Sequence, residues 1–285
     1  MSQPFRTLSR RVIVLTITAA SLSLAACGGS SDNSTAVADD CMPMHDVETV
    51  EEGTLSIAAV DFFPVSVTSD GEFRGTEADL MKKFAAQNCL LVNVIPVDFA
   101  GAIPAVDSGR ADVAIGGFYR TAERNKVVGL SDPIYLDRLG IISKEGLTTV
   151  DSLEGKKIGT VDGYLWTPDA KESFGSDVTV YPSNIEMKAD LENGRIDVAL
   201  DSYGGALFLF KDSDFTVEVL AADERIATTN EPAQIGFPFT LGNNSLGTAL
   251  NDSIGGWQKD ETLVDTLVEY GMPTDILEVG EPRLL

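Results

Sequence analysis

Arg124 and Asp201 are the two charged residues whose settings suggest chemistry. Arg124 lies in the stretch Ala105 to Pro133, AVDSGRADVAIGGFYRTAERNKVVGLSDP. Ser108-Gly109 fits a helix C-terminus, where glycine takes the left-handed cap without steric cost. Asp112 to Ile115 is short, apolar and strand-like, and Gly116-Gly117 frees the backbone at its end. Thr121 suits an N-cap and places Arg124 in the first turn of a predicted helix. A helix N-terminus is already electropositive and disfavours a cation. An arginine there makes sense if it and the exposed N–H groups share an anion, and a carboxylate is the simplest one.

The same pattern returns 85 residues later: residues 105–117 (AVDSGRADVAIGG) and 190–202 (DLENGRIDVALDS) share Gly, Arg, Asp, Val and Ala at matching positions. In this overlay Asp201 falls where Gly116 stands in the first copy. Two helix–strand units, one ending near an arginine and one in a carboxylate, imply two lobes facing across a cleft. In open α/β sheets ligands bind beyond the carboxyl ends of the strands. A zwitterion between Arg124 and Asp201 would satisfy both charges. The alternative is two unrelated surface charges on ordinary helix–strand units.

The surrounding elements must hold these residues in place. Thr54 to Val60 reads as a strand, broken by Asp61-Phe62-Phe63-Pro64, with a turn at Ser69-Asp70-Gly71. Glu77 to Gln87 reads as a helix with Met81, Phe84 and Ala85 on one face. A strand over Leu90 to Val94 and a helix over Phe99 to Asp107 follow. A second run begins with strands at Leu139 to Ser143 and Lys156 to Val161, and Thr167-Pro168 suits a helix start. Then come Val178 to Tyr181, a helix from Asn184 to Asn193 and a strand over Asp197 to Leu200. The chain closes with a strand over Ile235 to Leu241 and two helices across Ser245 to Tyr270. This alternation predicts α/β lobes with mostly parallel sheets. No low-complexity linker divides the halves, so short hinge strands are the expected connection.

At 285 residues and 44% hydrophobic content the chain is long enough for one or two domains with a real core. Its formal charge of −23 becomes −26 once the three arginines of residues 1–26 are set aside. Such acidity repels nucleic acid and makes it an improbable partner.

Residues 1–26 read as a targeting segment. Arg6, Arg10 and Arg11 form a basic region, Val12 to Ala26 is apolar, and Leu24-Ala25-Ala26-Cys27 resembles a bacterial lipoprotein box. The resemblance implies cleavage before Cys27, lipid on its sulfur and an extracytoplasmic location on the cell membrane. Residues 27–50 carry the anchor and a small, polar tether (GGSSDNSTAVADD over Gly28 to Asp40). In an exported protein the two remaining cysteines, Cys41 and Cys89, are expected to pair, the alternative being two buried free thiols. His45, the only histidine, is expected to be solvated.

From about Gly53 to Tyr270 the chain resembles a substrate-binding protein of the polar amino-acid ABC transporter class, extracellular solute-binding family 3. Phe62-Phe63-Pro64, Gly75 to Leu80, Phe99 with Ile103-Pro104, Gly117 through Arg124, Ser131-Asp132-Pro133, Leu153 to Lys157 and Gly194 to Asp197 carry the resemblance together. It implies a periplasmic-binding-protein-like fold of two α/β lobes joined by two hinge strands, lobe 1 being 51–138 plus 239–285 and lobe 2 being 139–238. It implies that Arg124 grips a ligand carboxylate, helped by backbone N–H groups near Gly117 and Tyr119, while Asp201 takes the ammonium. Phe62 and Phe99 would sandwich the ligand side chain, and Val161, Tyr164 and Trp166 would close the pocket from the second lobe. An ABC permease is the implied partner of a monomeric binding protein.

Tyr119, Val161, Leu200, Tyr164 and Trp166 make this pocket bulkier and less polar than is usual for that family, which favours a hydrophobic, aromatic or quaternary-ammonium ligand. Neither a cofactor nor a metal is expected, because the sequence lacks a Cys/His cluster and a glycine-rich phosphate motif. Two alternatives remain: a cyclohexadienyl-dehydratase-like enzyme, with Glu231 as its acid, and a delivery protein for a sensor. Arg120 is expected either to rim the cleft or to face solvent.

Overall fold

The computed structural model describes Val37 and residues 40–285. The targeting segment, Cys27 and most of the tether lie outside the described residues. From the N-terminus the elements are β1 (Thr54–Val60), α1 (Thr76–Gln87), β2 (Leu91–Val97), α2 (Phe99–Asp107), β3 (Val113–Ile115), β4 (Gly129–Leu130) and β5 (Tyr135–Asp137). Then come β6 (Leu139–Ser143), β7 (Ile158–Val161), α3 (Thr167–Phe174), β8 (Val178–Tyr181), α4 (Asn184–Glu192), β9 (Val198–Ser202), α5 (Tyr203–Leu209) and β10 (Thr216–Val219). The chain ends with β11 (Ala233–Ile235), β12 (Pro238–Phe239), α6 (Asn244–Lys259) and α7 (Thr262–Glu269).

These strands build two five-stranded sheets, ordered β2-β1-β3-β12-β4 and β10-β6-β9-β7-β8, joined by the two-stranded ribbon β11-β5. Each sheet is mixed, which corrects the expectation of mostly parallel sheets. β1 pairs in parallel with β2 and β3, and β7 with β8 and β9. The strands flanking the two chain crossings, β12 in one sheet and β6 in the other, run antiparallel to their neighbours. A chain that passes to the second sheet through β5 must return through β11 in the opposite sense, which brings β12 in reversed.

β1 (TLSIAAV) is nearly all apolar because it is covered on both faces. Leu55, Ile57 and Ala59 point into the main core, while Ala58 and Val60 join a smaller cluster with Ala102, Ala105 and Val106 of α2. β2 forms one edge of its sheet, where Pro96 leaves no central ladder bond unmade. On α6, Leu246, Leu250, Ile254 and Trp257 recur at helical spacing and are all buried.

Several boundaries move. The expected strand over Ile235 to Leu241 is two strands, β11 and β12, because Gly236 and Phe237 carry the chain from the ribbon into the first sheet. The expected breaks at 138/139 and 238/239 fall one residue after β5 and within β12. Thr121 Oγ1 does accept from the N–H of Arg124 at 3.1 Å, but it is Glu123 that stands at the N-cap of the following turn. The turn it starts is a single 3-10 turn, Arg124–Lys126, and not the predicted α-helix, because Gly129-Leu130 leaves to pair with β12. Thr167 opens α3 without capping it: its hydroxyl donates to the carbonyl of Val161.

The shared motif has one structural meaning in both copies. Gly109 and Gly194 take φ of +69° and +67° after their helices. The N–H of Asp112 donates to Ser56 and that of Asp197 to Lys157, while each carboxylate accepts a backbone N–H from the same neighbouring segment. Cys41 and Cys89 are disulfide-bonded, with Cα atoms 5.9 Å apart. His45 is half-buried rather than solvated, its ring nitrogens 3.3 Å from Asn88 and 3.0 Å from Asp252, so it fastens the leading segment to α6.

Candidate ligand-binding cleft

The carboxyl ends of β1, β3, β7 and β9 converge on one cavity lined by Phe62, Phe99, Gly116, Gly117, Tyr119, Arg124, Tyr164, Leu165, Trp166 and Ser202. Seven of the predicted binding residues are therefore brought together: Phe62, Phe99, Gly117, Tyr119, Arg124, Tyr164 and Trp166. Those before residue 139 follow strands of the first sheet, and Tyr164 to Trp166 follows β7 of the second. The aromatic rings meet across the gap, Phe99 with Tyr164 at 4.9 Å and Tyr119 with Trp166 at 5.9 Å between centroids. Only a cavity of about 20 Å³ is left at the centre.

Arg124 sits here without an acidic partner among the described residues. Its Nη1 donates to the carbonyl of Tyr119 at 2.8 Å, and its guanidinium lies 5.3 Å from the Phe118 ring centroid and 5.8 Å from that of Phe99. Burial pushes its pKa down to about 10. A desolvated cation held only by a carbonyl and ring faces is costly unless an anion arrives. The N–H of Tyr119 makes no hydrogen bond among the described residues, so it is free to join Arg124 in holding a carboxylate. The N–H of Gly117, expected to help, is already spent: with Gly116 it donates to Glu77, at 3.3 and 2.8 Å.

Asp201 is completely buried at the end of β9 and does not line the central cavity. Its Oδ1 accepts from Tyr164 Oη and from the N–H of Ser202, both at 2.8 Å, and its Oδ2 accepts from Asn184 at 3.3 Å. Burial pushes its pKa up to about 7. Asp201 therefore reaches the cavity through the hydroxyl of Tyr164. Val161, also buried, lines an adjoining pocket with Phe62, Phe99 and Asn184 rather than the central one.

Two acids that sequence reasoning missed complete the site. Glu77, buried in α1, holds the Gly116-Gly117 bend and accepts from Tyr135 Oη of β5 at 2.7 Å. Asp137, the last residue of β5, accepts from Tyr119 Oη at 3.0 Å and from the N–H of Gly204 at 3.2 Å. Burial raises the pKa of both from the ordinary carboxylate value. Glu77 lay inside the motif Gly75 to Leu80, whereas Asp137 carried no periodic signal. Arg120 neither rims the cleft nor faces solvent: it is buried and donates to Ser131, Gln234 and Arg283, which ties the C-terminal segment to β11. The indole N–H of Trp166 is buried without a partner among the described residues.

Residues 56–272 match the sequence profile of the bacterial extracellular solute-binding proteins, family 3. The chain belongs to that family. This family 3 protein is 29% identical over 223 residues to the L-cystine-binding protein TcyJ of Escherichia coli K12, covering 75% of this chain and 80% of TcyJ. It is 31% identical over 153 residues to a probable histidine-binding protein of Campylobacter jejuni, covering 52% and 58% of the two chains. The solved structure of an ancestral arginine-binding protein bound to arginine superposes with a TM-score of 0.68 at 25% identity, covering 77% of this chain and 98% of that one. The family 3 chain thus has the two-lobed periplasmic-binding-protein-like fold, with β5 and β11 as the strands that cross between its sheets.

Proposed function

We propose that this protein is the extracytoplasmic ligand-binding component of an ABC importer, capturing an amino acid or similar small zwitterion. The observation that carries the reading is Arg124, a desolvated guanidinium without an acidic partner, facing a cavity between two sheets. The family and its relatives, named for binding cystine, histidine and arginine, support it. Lobe 1 (51–138 plus 239–285) supplies Arg124 and the Tyr119 N–H for the carboxylate, and lobe 2 (139–238) supplies Asp201, through Tyr164, for the ammonium. Ligand stabilises the closed arrangement by touching both lobes, and the permease reads that arrangement.

The sequence Leu24-Ala25-Ala26-Cys27 supports a lipid anchor on Cys27, which keeps a monomeric carrier beside its membrane partner. Cys27→Ser should release the protein from membranes, and retention would contradict the anchor. The dehydratase alternative has little to work with, since Glu231 lies 2.9 Å from Arg283 Nε with half its side chain exposed. A thermal-shift screen against amino acids, betaines and small amines tests the reading, because a tight ligand raises stability by mass action. A specific rise with at least one amino acid is expected. No response across the panel would contradict the proposal.

A further inference from the structure

Residues 278–285 run back along β11 as a strap, beyond the stretch 56–272 that matches the family profile. At one end the strap pairs with the loop that leads to Arg124. The N–H of Leu285 donates to the carbonyl of Arg120 at 3.0 Å, and that of Ala122 donates to the carbonyl of Leu285 at 2.9 Å. Its middle is fixed by the buried side chain of Gln234 in β11. Gln234 Nε2 donates to the carbonyls of Val279 and Glu281, and its Oε1 accepts from the N–H of Arg283, all at 2.8 Å. These bonds seat the strap on lobe 1 and on the crossing strand.

Arg283 reaches the other way. Its Nη2 donates to the carbonyl of Pro232 at 2.6 Å. Its Nε lies 2.9 Å from the carboxylate of Glu231, an ion pair not aligned as a hydrogen bond. Glu231 and Pro232 stand where the chain leaves lobe 2 to enter β11. The segment just before them is fastened to α3, where Asp169 accepts from the N–H of Ala227 at 3.0 Å. One arginine seated on lobe 1 therefore holds the lobe 2 end of a crossing strand. The lobes are closed in this arrangement, with the ring of Trp166 5.9 Å from that of Tyr119.

We propose that Arg283 is a positioning residue for ligand capture, strapping the hinge in the closed arrangement and setting how much unliganded protein stands open. Hinge motion is absorbed by a few residues at the ends of elements, and Pro232 is such a position on β11. Opening displaces Glu231 and Pro232 with lobe 2, while Leu285 and Gln234 keep the strap on lobe 1. The Arg283 contacts then belong to the closed form alone, and a charge-assisted bond is among the stronger ones to lose. A ligand held by both lobes favours the closed form, so a hinge that closes less firmly holds it less tightly.

Acrylamide quenching of tryptophan fluorescence in the purified, unliganded protein tests it. The chain has two tryptophans, Trp166 in the cleft and Trp257 in the core on α6, and both are buried in the closed form. Opening uncovers Trp166 and leaves Trp257 covered. Arg283→Ala should raise the quenching constant roughly twofold or more as the open fraction grows, and the rise should vanish in a Trp166→Phe background. Glu231→Gln, which removes only the charge from the same bridge, should act in the same direction by a smaller factor. Arg225→Ala, which breaks ion pairs to Asp151 and Asp223 within lobe 2, should leave quenching unchanged. Unchanged quenching in Arg283→Ala would overturn the inference, as would unchanged quenching in Glu231→Gln should Arg283→Ala fail to fold. A rise that survives Trp166→Phe, or an equal one in Arg225→Ala, would mean general loosening and overturn it too. No ligand enters the experiment, so its failure leaves the amino-acid reading intact, and failure of that reading leaves this inference standing.

Discussion

The hydroxyl of Tyr164 donates to Oδ1 of Asp201 at 2.8 Å, placing a tyrosine between the buried carboxylate and the cavity. With the N–H of Ser202 and the amide of Asn184, it surrounds Asp201 with donors yet leaves it without a cation among the described residues. Burial outweighs those donors, and the pKa rises to about 7 from the ordinary 3.8.

That shift has a definite sign. A folded pKa above the unfolded one means that the folded state keeps a proton the unfolded state has lost between about pH 4 and 7. Asp201 therefore lowers stability as pH rises through that window, with the full cost present above pH 7. Urea melts of the unliganded protein at pH 4.5, 6 and 7.5 should show Asp201→Asn gaining on the wild type as pH rises, by a few kcal/mol at most. A constant difference between the two proteins across that range would show that Asp201 does not titrate there.

Closure depends on a glycine. Gly163, in the loop after β7, has φ of +80°, and a Cβ there would stand 2.9 Å from Cα of Ala100 in α2. Gly163→Ala should cost about 1–2 kcal/mol through its left-handed backbone. It should weaken ligand binding by at least tenfold, because backbone atoms on opposite sides of the cleft can no longer meet. Unchanged affinity in titration would mean that this contact plays no part in the bound form.

The disulfide closes a separation of 48 residues between the leading segment and the end of α1. On the chain-entropy account, losing it costs about 4 kcal/mol. Denaturant melts of the double variant Cys41→Ser/Cys89→Ser should show a loss of that order with little effect on ligand affinity, since neither cysteine lines the cleft. An unchanged midpoint would assign the bridge no stabilising role.

Local chemistry made much of this molecule readable. The strands at Thr54–Val60, Leu139–Ser143 and Val178–Tyr181 and the helix at Phe99–Asp107 follow from apolar runs and caps within the segment itself. The Gly-Arg-x-Asp-Val-Ala repeat pointed to matched helix–strand units, and its glycines and aspartates do the same backbone work in both. What stayed hidden depends on contacts distant in sequence. Asp137 gains its setting from Tyr119 and Gly204, and Glu77 from Gly116 and Tyr135. Arg120 resembles a cleft residue until Gln234 and Arg283, more than a hundred positions away, are folded onto it. The 3-10 turn at Arg124 likewise reflects pairing between β4 and β12, which no local pattern announces.

The central claim is that Arg124 waits for a carboxylate, and titration of wild type and Arg124→Ala with the best amino acid from the thermal screen tests it directly. Truncating one member of a buried charge pair costs about 2–5 kcal/mol, or roughly 30-fold to several thousand-fold in affinity. The account predicts a loss of that size, together with an unliganded protein at least as stable as the wild type, because a desolvated cation has been removed. Binding within a few-fold of the wild type would contradict it.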